Sequence, residues 1–146
     1  MKRAAVSKYV VGALLSAAVV GGFAVEAQRP SKISAADLRG AVFKGPLVKK
    51  VTEDGSTALE ADTYTSPDKK FQTGAYQAGP EHLDIKDGYP TDEFFYVLKG
   101  SIKLTDATGV QVIGPGEAVT IPKGWKGRWD SDGYTKVWVT YDAAAK

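Results

Sequence analysis

The chain contains no cysteine and a single histidine, His82. Without cysteine there are no disulfides, no lipobox lipid anchor and no thiol nucleophile. One histidine excludes a three-histidine site for Fe, Mn or Ni within one subunit. One histidine is enough for a serine triad, but no supporting arrangement appears in the sequence. There is no G-x-S-x-G elbow, no phosphate-binding glycine loop and no H-E-x-x-H helix. Internal repeats and low-complexity tracts are missing too, and helical periodicity is confined to one short stretch.

An excess of one charge sign is also lacking, once the start of the chain is set aside. Lys2, Arg3 and Lys8 precede an apolar run from Tyr9 to Val25, and Val25-Glu26-Ala27 supplies a small-residue cleavage pattern. The run is at the lower limit for spanning a bilayer, so an uncleaved anchor is the competing reading. Gly12, Gly21 and Gly22 lower its hydrophobicity, and the sequence is expected to carry a signal peptide over 1–27, cut after Ala27. That implies a periplasmic or secreted protein of the bacterial envelope, with no stable membrane insertion after cleavage. Losing those three basic residues and Glu26 balances the 19 basic and 17 acidic residues of the chain. A nucleic-acid partner, which needs a clustered basic surface, is therefore not expected. The pairs Lys49-Lys50 and Lys69-Lys70 read as solvated loop charges.

At 146 residues with 43% hydrophobic and 25% charged, there is room for one globular domain. Residues 28–40 read as a flexible lead in which Ser34 and Asp37 cap a short helical turn over Ala35 to Arg39. Residues 41–146 read as an all-β domain, because short runs of Val, Ile, Thr and aromatics alternate with Gly, Pro, Asp and Ser clusters. Strands are expected near 41–43, 47–51, 58–64, 71–77, 81–85, 93–99, 101–105, 110–113, 118–121, 127–130 and 136–141. So many strands in so short a chain imply a sandwich or barrel that hides most edges.

Two segments carry a specific pattern. Glu93, six residues and Gly100 are followed, after fifteen more, by Gly116, five residues, Pro122, one residue and Gly124. These resemble the two motifs of the cupin barrel, a jelly-roll or double-stranded β-helix fold. The continuation Pro122-Lys123-Gly124-Trp125-Lys126-Gly127-Arg128-Trp129, with the lead-in F-Q-T-G-A-Y-Q-A-G-P, is similar to the cupin branch of the ureidoglycine aminohydrolase and ethanolamine-utilisation Q families. The similarity runs from about Phe71 to Tyr141. It implies a single cupin domain that pairs as a homodimer through sheet extension.

Metal-binding cupins carry two histidines just before the glutamate and a third where Gly127 stands; this chain has Asp87, Gly88 and Tyr89 upstream. Glu93 keeps the acidic ligand's position, but no metal and no other cofactor are expected. A His82, Asp84, Glu93 metal site would need a bulge, since alternation turns His82 and Asp84 outward and Leu83 and Ile85 inward. Alternation places Glu93 with Phe95 and Val97, so an inward Glu93 sits on an apolar wall. There it is either half of a buried pair with a Lys or Tyr of a neighbouring strand, or a general acid or base or a ligand-recognition group. The resemblance implies that Trp129 faces the interior, Trp125 sits at the mouth and Gly127 opens space for a ligand. Glu93, Phe95, Trp125, Gly127 and Trp129 are thus the candidate binding residues for a small polar molecule, and Glu93 the candidate catalytic one. Three functions stay open: a binding module, a small-molecule enzyme (ureidoglycine aminohydrolase-like, or a metal-independent isomerase or lyase using Glu93), and a structural or interaction protein with a filled barrel.

Overall fold

A computed structural model describes residues 29–46, 48–53 and 56–145. The expected signal segment 1–27, with Gln28 and Leu47, lies outside the described residues. The short helix α1 spans Ala35–Leu38 and begins with the expected capping box. Ser34 Oγ accepts from the Asp37 amide at 3.1 Å, and Asp37 Oδ2 accepts from the Ser34 amide at 2.8 Å. Ser31 ties the lead onto the domain, its hydroxyl donating to Thr63 O at 2.9 Å.

Residues 41–43, expected as a strand, belong instead to a 3-10 turn over Ala41–Lys44. Gly40, at φ 114°, reverses the chain, and the Phe43 amide bonds back to Gly40 O. Three residues ahead of Pro46 are too few to pair into a sheet, and local bonds take over.

Ten strands follow among the described residues: β1 Lys49–Glu53, β2 Ser56–Thr65, β3 Phe71–Ala78, β4 Glu81–Ile85, β5 Asp92–Gly100, β6 Ile102–Asp106, β7 Gly109–Ile113, β8 Ala118–Ile121, β9 Gly127–Ser131 and β10 Tyr134–Tyr141. One sheet has the order β1-β2-β3-β10-β5-β8 and the other β4-β9-β6-β7, and every pairing is antiparallel. Strands β1 and β2 extend the chain's own sheet, so Lys49 and Lys50 are strand residues rather than loop charges. Lys49 pairs with Asp62 at 2.6 Å. Between the sheets lies the core, with Phe95, Val97, Ile102, Ile121, Tyr89 and Trp129 almost completely enclosed.

Two local features set the face of each side chain. Gly100 turns β5 into β6 at φ 70°, and a Cβ there would strike the Gly133 carbonyl, so only glycine fits. One residue earlier the register slips: Thr135 faces Lys99 whereas Lys136 faces Val97, which leaves Leu98 as the extra residue of a bulge. A one-residue slip reverses the side-chain faces. Val97 and Lys136 therefore point into the core, while the neighbouring Lys99 and Thr135 are directed to the outside of the sheet.

Candidate functional site

Alternation along β5 buries Glu93, Phe95 and Val97 at 2%, 0% and 0% exposure and leaves Phe94 and Tyr96 exposed. Facing them in register on β10 are Thr140, Trp138 and Lys136. Lys136 Nζ lies 2.6 Å from Glu93 Oε1, and both side chains are buried. The second oxygen, Oε2, accepts a very short hydrogen bond from the Tyr89 hydroxyl. Glu93 thus has a lysine of the adjacent strand and a tyrosine of the preceding loop as partners. Burial and the neighbouring Glu93 carboxylate hold the Tyr89 phenol well above its ordinary pKa, so it stays a donor.

Aromatic rings enclose the Lys136 ammonium. It lies 4.5 Å from the Phe95 ring centroid and 4.9 Å from that of Trp129, with Tyr76 and Tyr134 at 5.7 and 6.0 Å. Those distances are within cation–π range, and desolvation makes such contacts worth about 2 kcal/mol. Tyr76 and Tyr134 in turn donate to the two oxygens of Glu81, each at 2.8 Å. The result is a polar seam, Glu81 to the tyrosines and Tyr89 to Glu93 to Lys136, through an otherwise apolar interior.

Glu60 continues this seam toward β1, standing opposite Tyr76 on one side and Lys49 on the other. Burial pushes its carboxyl from the ordinary 4.5 up to about 6; Asp62 adds to the rise, while Lys49 and Lys136 oppose it. A raised carboxyl pKa means the folded state holds the proton more tightly than the unfolded one. The stabilisation is complete below pH 4.5 and is lost as pH rises through about 6. Glu60→Gln should therefore gain about 2 kcal/mol relative to the parent between pH 4.5 and pH 7. Denaturant melts of both proteins at the two pH values measure this, and parallel curves would show that Glu60 is not the group responsible.

The other sequence candidates fall in different places. Trp129 is buried at 1% with its ring 5.5 Å from Phe95 and 5.7 Å from Tyr134. Its indole nitrogen makes no hydrogen bond to a described residue. Trp125 is half-buried; its indole N–H donates to Asp106 at 2.8 Å and its ring meets Tyr89 edge-on at 6.4 Å. Hydrogen bonds from Thr108 and from Trp125 lower the Asp106 carboxyl to about 2, which keeps it an acceptor. Gly127 does not open a ligand space. A Cβ there would come within 2.5 Å of both Thr105 O and Trp125 Cζ2, because the Trp125 ring has taken the volume. Tyr89 and Trp125 are strapped together by the Tyr89 amide to Trp125 O and the Gly124 amide to Tyr89 O, both 2.7 Å, so they roof Glu93.

The residues present do not fit a cupin metal. His82 is exposed on the outer face of β4, bonded to Asp130 at 2.8 Å, and Asp84 is exposed beside Lys86. Neither meets Glu93, both of whose oxygens are already occupied. Among the described residues no three His, Asp or Glu side chains come together as a ligand set.

Sequence reasoning missed Lys136 as the partner. Its signal was available: it is the only charge in T-K-V-W-V-T, two residues from Trp138 on the same face. What alternation alone does not give is which strand lies beside β10, and the pairing with β5 is what sets Lys136 against Glu93.

A family model described as the EutQ-like cupin domain matches residues 65–137, a span that contains Tyr89, Glu93, Trp129 and Lys136. Among solved structures, the EutQ protein of Clostridium difficile aligns at TM-score 0.53 with 22% identity, over 65% of this chain and 77% of its own. A putative ethanolamine utilization protein Q of Salmonella typhimurium LT2 aligns at 0.51 with 17% identity, over 66% and 94%. A Rhizobium leguminosarum protein of unknown function aligns at 0.53 with 20% identity, over 78% and 98%. These likenesses establish the fold. No curated protein matches the chain.

Proposed function

This chain belongs to the EutQ-like cupin family, and from that premise we propose that its barrel binds a small polar molecule at Glu93, Lys136 and Tyr89 without using a metal. One observation carries the reading. Three ionisable groups converge inside the barrel, where apolar residues of the same volume are often as stabilising or more so. A fold that needed only a filled core gains little stability from a buried ion pair there. Both Glu93 oxygens are bonded within the protein, so the ligand takes the place of the Tyr89 hydroxyl, offering a donor to the carboxylate and an acceptor to the ammonium. Access requires parting the strap between Tyr89 and Trp125.

A second reading, the filled structural barrel, is favoured by the Trp125 ring over Gly127. The two are separated by a thermal-shift screen of ethanolamine, urea derivatives and small hydroxy acids on the parent and on Glu93→Gln. Ethanolamine is included because of the name of the Salmonella neighbour. A ligand at a hundred times its dissociation constant should stabilise the parent by about 2.7 kcal/mol. The folded Glu93→Gln variant should lose that shift. A screen with no stabilising compound, at concentrations reaching tens of millimolar, would support the filled barrel and reject the binding site.

A further inference from the structure

We propose that the cleft between the N-terminal helical segment and the outer face of the larger sheet is a second binding site, for a small organic oxyanion. The cleft holds about 430 Å³ and lies outside the barrel, on the other side of the sheet from Glu93. Arg39 and Lys44 reach it from α1 and the 3-10 turn, and Lys99 from β5. None of the described residues lining it is acidic. The three cations have no carboxylate within ion-pair distance among the described residues. Asp37, the acid of the adjacent helix, is committed to Ser34 in the capping box.

The floor adds to the same character. Thr135 pairs with Gln77 on one flank and with Lys99 on the other, so three neighbouring strands present hydroxyl, amide and ammonium side by side. Thr135 is buried, and neither its hydroxyl nor the Gln77 amide has a side-chain hydrogen bond to a described residue. It is the bulge at Leu98 that brings Lys99 to this face. The cleft is therefore rich in donors without acceptors among the described residues, which a carboxylate or phosphate oxygen satisfies by charge-assisted bonds. Leu38 and Phe43 line one side and provide an apolar surface, so the oxyanion is expected to carry a hydrocarbon or aromatic body.

Titration of the full chain with phenyl phosphate, followed by amide NMR shifts, tests this. Saturable shifts at Gly40 to Lys44 and at Thr135 are expected, with a dissociation constant on the order of 1 mM or below. The exposed double variant Arg39→Gln/Lys99→Gln should weaken binding about tenfold or more, whereas Lys103→Gln, an exposed lysine of the other sheet, should leave it unchanged. Inorganic phosphate, lacking the apolar body, should bind more weakly. Benzoate binding as tightly as phenyl phosphate assigns the site to carboxylates, and a clear preference for phenyl phosphate assigns it to phosphate esters. Equal weakening by Lys103→Gln, or shifts scattered over the surface without saturation, overturns the proposal.

Discussion

Replacing Lys136 with methionine should destabilise the protein by about 3–5 kcal/mol, because the variant leaves the Glu93 carboxylate buried without its counter-charge. Methionine matches the length of the lysine stem, so the loss reports charge rather than volume. The Tyr89 hydroxyl remains on Glu93 Oε2 but cannot neutralise it. Denaturant melts read the change as a fall in midpoint at an unchanged slope. Adding Glu93→Gln to Lys136→Met removes both charges and still offers Tyr89 an acceptor, so about 2 kcal/mol or more should return. A Lys136→Met protein that melts like its parent would mean the pair is not enclosed as described.

Trp129→Ala should cost about 3–5 kcal/mol, through lost transfer energy and the cavity left behind. The ring touches Phe95 and Tyr134 and closes one side of the cage around Lys136, so the alanine variant also exposes that ammonium to water. Trp129→Phe should cost much less, about 1–2 kcal/mol. It keeps an aromatic ring and eliminates an indole N–H that has no hydrogen-bond partner among the described residues. The three melts together check the inward placement, and an alanine variant within about 1 kcal/mol of the parent would refute it.

The reasons that the strands were legible and parts of the site were not are local. Glu93, Phe95 and Val97 obey strict alternation, and Leu83 and Ile85 do the same opposite His82, so their faces follow from period two alone. The Ser34 and Asp37 capping box is visible because its partners are three residues apart. Ala41 to Phe43 failed because a β-branched residue and an aromatic suggest a strand, while strand formation needs a neighbour that Gly40 and Pro46 deny. Lys136 and Tyr89 were hidden for a different reason. Lys136 shares the inward face of β10 with Trp138 and Thr140, but which residue of β5 it meets is set by the pairing of two strands distant in sequence, and the meeting of Tyr89 with Glu93 is set by a loop conformation that leaves no periodic trace. Trp125 over Gly127 belongs to the same class, since glycine reads equally as empty space or as room for a neighbouring ring.

Strand β10 lies between β3 and β5, although it follows both in the chain. Its arrival on the growing polypeptide therefore controls when the larger sheet can close. Until residue 136 has emerged, β5 carries Glu93 with no ammonium to meet, and burying that carboxylate early is disfavoured. The hairpin of β6 and β7 can form beforehand from nearby residues, but the barrel must wait for a contact 43 positions away in sequence. Such late closure makes folding slow relative to a chain built from local contacts.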